Sequence, residues 1–133
     1  MLIAFFHRLG INLVIYPQIM IIASIRIDPM PDKRQAVIEV LMSVKNMTRL
    51  KPSCTNCEIY EEHGDGQKIL YIERWQTREA MYQHIRSKLY LRVLNAIEFS
   101  SEPPEICFHE DSETTGIALI ETIRLKSTAK RDS

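Results

Sequence analysis

Three side chains in the middle of the chain have the types and spacing that acid–base chemistry needs. Glu73 and Trp75 lie two residues apart on a predicted strand and so share one face, and His84 lies on the predicted helix that follows. A carboxylate beside an indole in a half-buried cleft can act as a base of tuned pKa, and histidine moves protons near neutral pH. The structural alternative is a core tryptophan, a glutamate paired with Arg74, Arg78 or a neighbouring strand, and a hydrogen-bonded core histidine.

Cys54 and Cys57 form a C-x-x-C pair, and Cys107 is the third cysteine of the chain. A redox-active pair lies at a helix N-terminus, whereas this pair follows a predicted helix and enters a predicted strand. A structural zinc site would need further ligands, for which His63 and Cys107 are the remaining candidates. We therefore expect no metal and two unreactive thiols, one of them turned to the core. The odd, low cysteine count favours a reducing, cytoplasmic location.

Hydrophobic periodicity predicts the elements that position these side chains. Apolar residues alternate from Ile21 to Ile27, which indicates a strand. The proline-containing turn Asp28 to Asp32 then leads into a helix that ends near Leu50. Two further strands, Cys57 to Glu62 and Lys68 to Trp75, are joined by a hairpin turn rich in glycine.

The second half of the chain repeats the pattern of a helix followed by a strand. Thr77 is predicted to cap a helical stretch that runs to about Ile97, with a break near Ser87. A short strand from Glu105 to Glu110 follows, and a possible extra strand covers Ile117 to Arg124. The order β-α-β-β-α-β predicts an α+β domain in which helices cover one face of an antiparallel sheet. The other face is apolar enough to need a cover, which predicts a homodimer.

The bulk composition narrows the class of protein. A chain of 133 residues with 45% hydrophobic and 26% charged residues predicts one globular domain. A formal net charge of zero argues against nucleic acid or an anionic membrane as the partner. The sequence has no Gly-rich phosphate loop, Walker motif, H-E-x-x-H or nucleophile elbow, so hydrolase, kinase and dinucleotide-dependent functions are disfavoured.

Residues 1–19 are apolar but interrupted by polar and charged residues, so they predict no membrane span and lack the order of a signal peptide. We expect them to form an extension that packs on the domain or on a partner subunit, with a natural start at Met20 as the alternative. The domain itself is predicted to cover residues 20–126, and a polar tail covers residues 127–133.

The run from Ile69 to Ala80, with E-R-W-Q-T at its centre, resembles the antibiotic biosynthesis monooxygenase (ABM) domain, whose members include small quinol monooxygenases. That family has a strand ending in E-x-W, then a Ser or Thr helix cap, then a helix with a histidine. Pro52-Ser53-Cys54 and Glu58 are similar to the family's P-G-C-x-x-Y-E entrance to its second strand. The resemblance covers about Met20 to Lys126.

The resemblance implies a ferredoxin-like β-α-β-β-α-β sandwich that forms a dimeric α/β barrel. It also implies, for some members, oxidation of quinols by O2 without metal or flavin, because an electron-rich phenolate can itself pass an electron to O2. His84 and Trp75 are then the candidate catalytic residues, and Glu73, Met81 and Asn95 the candidate substrate-binding residues. A non-enzymatic dimeric domain that binds or senses a small molecule is the alternative on the same fold.

Three positions depart from the family pattern. Ser53 replaces the usual glycine, Cys57 stands where a tyrosine is common, and Lys88-Leu89 replaces Pro-His, so a second helix histidine is missing. The asparagine, tryptophan and histidine that related haem-degrading members use have no counterparts here. Haem degradation is therefore not expected.

Overall fold

A four-stranded antiparallel sheet with three helices makes up most of the structure, a computed structural model that describes residues 20–64, 66–111 and 120–125. The elements are β1 Met20–Ile27, α1 Arg34–Thr48, β2 Cys54–Glu61, β3 Ile69–Trp75, α2 Arg78–Ile85, α3 Lys88–Ile97 and β4 Glu105–Asp111. The strand order is β2-β3-β1-β4. The predicted α+β, ferredoxin-like arrangement is thus confirmed.

The sheet buries alternate residues because successive side chains of a strand point to opposite faces. Ile25 and Ile27 of β1 pair in register with Tyr71 and Ile69 of β3. These four residues are buried in one hydrophobic cluster with Leu41 and other aliphatic side chains of α1 and α3. The helices therefore cover one face of the sheet, as the alternation in β1 predicts.

Two hydroxyl side chains set the start of the helices that follow β3. Thr77 Oγ1 accepts a hydrogen bond from the Ala80 amide at 3.1 Å, and Ser87 Oγ accepts one from the Tyr90 amide at 3.4 Å. Such caps satisfy amides that have no partner within the helix. The predicted cap at Thr77 and the predicted break near Ser87 are both confirmed.

The strand β2 begins at Cys54, earlier than the predicted start at Cys57. Cys54 pairs with Trp75 and Cys57 with Glu73, and the register shifts between Cys54 and Asn56. An irregularity of this kind inserts one unpaired residue and turns the strand about its axis. It places both cysteines on the helix-covered side of the sheet.

The predicted extra strand over Ile117 to Arg124 is wrong for its second half, because residues 120–125 are helical. Residues 117–119 lie outside the described residues. Ile120 and Ile123 have the i, i+3 spacing of a helix, and short apolar runs of this kind do not distinguish the two structures. Residues 120–125 belong to one compact unit, and Ile19–Ser112, with the sheet, form another. Throughout the described ranges, no helix has the length and apolarity needed to cross a membrane.

Candidate active site

A buried carboxylate with three hydrogen-bond partners lies on the helix-covered face of β3. Glu73 is only 1% exposed. Tyr71 Oη donates to its Oε2 at 2.5 Å and Trp75 Nε1 to its Oε1 at 3.1 Å. His84 Nε2 of α2 lies 2.7 Å from Oε2. A buried charge needs such partners. Of the alternatives suggested by sequence, the strand neighbours Tyr71 and Trp75 bond Glu73, whereas Arg78 pairs with Glu110.

The second ring nitrogen of His84 connects this carboxylate to a lysine. His84 Nδ1 lies 2.8 Å from Lys51 Nζ. An ammonium group can only donate, so Nδ1 accepts and the ring proton sits on Nε2, from where it is donated to Glu73. The result is a carboxylate–imidazole–ammonium chain that starts in the core at Glu73 and ends at the half-buried Lys51.

The turn between α1 and β2 fixes the position of Lys51. The Lys51 amide donates to the Thr48 carbonyl at 3.0 Å, the Cys54 amide to the Lys51 carbonyl at 3.2 Å and the Gln76 amide to the Ser53 carbonyl at 2.8 Å. Ser53 has a φ of 68°, in the left-handed region that favours glycine. The backbone geometry thus explains why a glycine is usual at this point of the motif.

A cavity of about 440 Å³ opens beside this hydrogen-bonded chain of side chains. Helix α2 contributes Glu79, Ala80, Gln83 and His84 to its wall. The other wall consists of the turn residues Lys51, Pro52 and Ser53, together with Trp75 and Thr77. This volume falls in the range of small-molecule sites, so a ligand there would contact the ammonium end of the chain.

Aromatic contacts hold the His84 ring in place. The ring centroids of His84 and Trp75 are 5.0 Å apart, and those of His84 and Tyr90 are 5.3 Å apart in an edge arrangement. Both separations are typical of favourable aromatic pairs. The imidazole is therefore fixed by packing as well as by its two hydrogen bonds, which is what a positioned base requires.

Burial keeps the neighbouring acids of the cluster protonated. It raises the pKa of Tyr71 well above its usual range, and the nearby Glu73 charge raises it further. Burial likewise raises the pKa of Tyr90 and of Cys57 to about 12 each. Tyr71 is therefore a hydrogen-bond donor to Glu73 at neutral pH and not a base.

The two thiols of the C-x-x-C pair are free and at least partly buried, Cys57 fully and Cys54 in part. Burial raises the pKa of Cys54 as well. A thiol whose pKa is raised is a poor nucleophile. Within residues 20–64, 66–111 and 120–125, no group of three or more His, Cys, Asp or Glu side chains is placed to hold a metal ion.

The structure brings together three of the five residues predicted for the site. Glu73, Trp75 and His84 form the cluster beside the cavity. Met81 is 4% exposed and packs against Trp75, but it lines a different cavity, of about 360 Å³, next to β4. Asn95 is exposed on α3 and lines a groove of about 150 Å³ against α1.

Sequence reasoning missed two members of the cluster. Tyr71 could have been found, because it alternates with Glu73 and Trp75 on the same strand. Lys51 gave no such signal, since it lies in a turn and 33 residues before His84.

Comparison with known proteins agrees with this picture. A family model described as "Antibiotic biosynthesis monooxygenase" (ABM) matches residues 20–96. "Putative monooxygenase Rv0793" of Mycobacterium tuberculosis is 33% identical over 66 residues, which is 50% of this chain and 64% of that protein. "Uncharacterized protein sll1783" of Synechocystis sp. is 25% identical over 85 residues, 63% of this chain and 58% of that protein. The match thus spans less than two thirds of either relative.

Solved structures share the fold. The structure of Rv0793 aligns with a TM-score of 0.65 at 24% identity, covering 73% of this chain and 99% of that one. A Nitrosomonas europaea structure, described as a "Putative antibiotic biosynthesis monooxygenase", aligns with a TM-score of 0.66 at 17% identity, covering 77% and 100%. At these identities the likeness supports the ferredoxin-like fold and not an activity.

Proposed function

Because the chain belongs to the antibiotic biosynthesis monooxygenase family, we propose that it is a cofactor-independent monooxygenase that uses O2 to oxidise a quinol or a related hydroxylated aromatic molecule. One observation carries the proposal. The hydrogen-bonded chain from Glu73 through His84 to Lys51 ends at a cavity of about 440 Å³, next to Trp75. An anchored base beside a ligand-sized cavity is what deprotonation of a bound phenol needs.

In the proposed first step, His84 Nδ1 takes the proton of a substrate hydroxyl. Nδ1 now accepts a hydrogen bond from Lys51, so the hydroxyl has to displace that ammonium group. The imidazolium that forms keeps its Nε2–H on the Glu73 carboxylate, whose charge stabilises it. Tyr71 and Trp75 hold the carboxylate in position through their own hydrogen bonds to it.

The oxidation itself follows from the electron-rich phenolate. The phenolate passes one electron to O2, and the aryloxyl radical and superoxide recombine at a ring carbon that bears hydrogen. The peroxide takes back the proton held by His84 and loses water, which leaves a carbonyl at that carbon. One oxygen atom of O2 ends in the quinone product and the other in water, so no external reductant is consumed. The protein's part is to bind, deprotonate and shield.

The direct test is O2 uptake in aerated buffer after addition of a naphthoquinol from a stock that is kept reduced without O2. We expect wild type to exceed autoxidation, and His84→Gln to lower the enzymatic rate by about 10²- to 10⁴-fold, the usual contribution of a general base. Trp75→Ala should also lower it, because the cavity loses a wall. His63→Gln, at an exposed histidine of the hairpin, is the matched control and should keep the wild-type rate. Autoxidation alone with wild type across a panel of quinols would refute the proposal.

The alternative is a non-enzymatic domain that binds or senses a small aromatic molecule. One observation favours it. The His84 ring is buried, 1% exposed, and both of its nitrogens already have partners within the protein, as in a structural histidine. This alternative predicts that the ligand is recovered unchanged after incubation with O2 and that His84→Gln alters affinity and stability but no rate.

We also propose that the chain forms a homodimer through the sheet face that the helices leave open, where Ile22, Leu70 and Ile72 alternate with the buried residues of β1 and β3. Such a face favours self-association. Light scattering after size-exclusion chromatography should give twice the chain mass of 15.5 kDa. A mass of one chain at micromolar concentration would contradict the dimer.

A further inference from the structure

Lys51 has hydrogen-bonding capacity that the protein does not use. An ammonium group carries three N–H donors. Lys51 Nζ lies 2.8 Å from His84 Nδ1 and 3.4 Å from Ser87 Oγ. Over the described part of the chain, no third acceptor contacts Nζ, and Lys51 lines the cavity of about 440 Å³. One donor therefore remains for a ligand.

The charge of Lys51 is also not paired directly. Its hydrogen bonds go to an imidazole nitrogen and a hydroxyl, and the nearest carboxylate along the hydrogen-bonded chain, Glu73, lies on the far side of the His84 ring. Glu79 lines the same cavity, but it forms no ion pair with Lys51 among the residues that the structure describes. A half-buried cation of this kind gains from an anionic ligand, because the attraction is stronger there than in open water.

We propose that Lys51 makes the cavity selective for aromatic ligands that carry an ionised hydroxyl, a phenolate or enolate oxygen, over neutral ligands of the same size. The oxyanion accepts the hydrogen bond from Nζ, and the ring lies in the space beside Trp75. The inference rests on the proposed function for the place of the ligand, but it does not require that the ligand be oxidised.

The geometry also couples anion binding to the base. In the proposed reaction the substrate hydroxyl displaces Nζ from His84 Nδ1 and gives up its proton there, and the oxyanion that forms accepts a hydrogen bond from the displaced Nζ. Lys51 thus acts as a binding residue for the ligand oxygen and as the group whose movement exposes the base.

Two probes that cannot turn over test the selectivity. 2-Hydroxy-1,4-naphthoquinone is an acidic enol that is ionised at neutral pH, and 2-methoxy-1,4-naphthoquinone has nearly the same size without an ionisable proton. We expect wild type to bind the hydroxy probe about ten- to a hundredfold more tightly, as for a hydrogen bond between charged groups. Isothermal titration or the visible absorbance of the probe gives both Kd values.

Substitutions at Lys51 then assign the effect. Lys51→Met should abolish the preference and Lys51→Arg should retain most of it, since only the second keeps a cation. Lys88→Met, on the exposed start of α3, is the control and should leave the preference unchanged. Thermal unfolding shows whether each variant is folded. If Lys51→Met does not fold, the preference measured for Lys51→Arg still tests the inference.

Three results would overturn the inference: equal affinity of wild type for the two probes, no binding of the hydroxy probe, or an undiminished preference in Lys51→Met. Each can be told apart from failure of the oxidation. Lys51-dependent preference with O2 uptake at the autoxidation rate would leave the inference standing and remove the monooxygenase. Quinol turnover with no preference would do the reverse.

Discussion

The two ends of the buried face of β3 are held by different forces. At one end Ile69 packs among aliphatic side chains of α1 and α3, and at the other Glu73 and Trp75 meet His84 of α2. Burial does not distinguish them, since Ile69 is 0% and Glu73 1% exposed. The aliphatic end gains from removing apolar surface from water, which needs no particular direction. The polar end is stable only if every donor and acceptor keeps its partner.

The largest effect is expected at the aliphatic end. Leu41 of α1 is 0% exposed, and Leu41→Ala should lower the free energy of unfolding by about 2–5 kcal/mol through lost burial and the cavity left behind. Urea titration measures the loss. Met42→Ala, at the 40% exposed neighbour on the same helix, should change it by less than about 1 kcal/mol. Probe affinity per folded molecule should not change, and a loss there would contradict the separation of the two ends.

At the polar end, Glu73→Gln should lower the free energy of unfolding by about 1–3 kcal/mol with almost no change in volume. The amide brings two N–H donors into a space where Tyr71, Trp75 and His84 already donate, so at least one pair of donors must face each other. Urea titration measures this loss too. Glu98→Gln, at an exposed carboxylate of the α3 end, should have no measurable effect. Equal stability of Glu73→Gln and wild type would show that the charge is not needed.

Alkaline pH should weaken the fold through buried acids near the polar end. Burial raises the pKa of Cys57 from 9.0 to about 12, so the thiol stays protonated in the folded chain when the unfolded chain has already ionised. Its contribution is present in full below pH 9 and is lost as pH rises towards 12. Between pH 9 and pH 12, the free energy of unfolding should fall by about 1 kcal/mol per pH unit.

Tyr71 adds to this loss at higher pH, because burial and the Glu73 charge raise its pKa as well. Denaturation at several alkaline pH values in the presence of reductant measures the slope. Cys57→Ala should make the slope shallower, although it also lowers stability at neutral pH. Cys107→Ser, at an exposed thiol, should leave the slope as it is. A slope that is the same in Cys57→Ala would contradict the assignment to Cys57.

The smallest effect concerns the turn that carries Lys51. Ser53 has a φ of 68°, where a side chain costs energy that glycine does not, so Ser53→Gly should raise the free energy of unfolding by about 0.5–1 kcal/mol. Gly64 of the hairpin has a φ of 111°, and a Cβ there would meet no atom within 4 Å. Gly64→Ala should therefore lower stability by about 1 kcal/mol through backbone strain alone. Thermal melts of both variants measure the two changes in stability. A change in the same direction in both would contradict the backbone argument.

The comparison also shows what sequence can predict. Alternation in β1 and β3 predicts the sheet because it follows from the geometry of a strand and needs no knowledge of partners. The caps at Thr77 and Ser87 are local for the same reason. Within the site, Glu73, Trp75 and His84 are found because strand and helix periodicity turns them to the same side.

The rest depends on contacts between distant parts of the chain. Lys51 reaches His84 only after α1 has packed and β2 has paired with β3, and no period in the sequence encodes that meeting. Asn95 lies apart from the cluster for a different reason: it is on an exposed side of α3, where it lines the groove against α1. Residues 120–125 show that a short apolar run is ambiguous between strand and helix.

The turn at residues 49–53 is held by backbone hydrogen bonds, so its position does not depend on the side chain that it offers to the cavity. Backbone hydrogen bonds tie it to the end of α1, to the start of β2 and to Gln76. None of them involves the side chain at position 51. Exchanging that one residue would therefore alter the charge and reach of the group offered to the cavity, while the backbone register of β2 stays the same. The His84 ring would lose one of its two hydrogen bonds but keep its bond to Glu73 and its aromatic contacts. For protein engineering, we expect exchanges at position 51 to change ligand preference, and we expect Ser53→Gly to offset part of the stability that such an exchange removes.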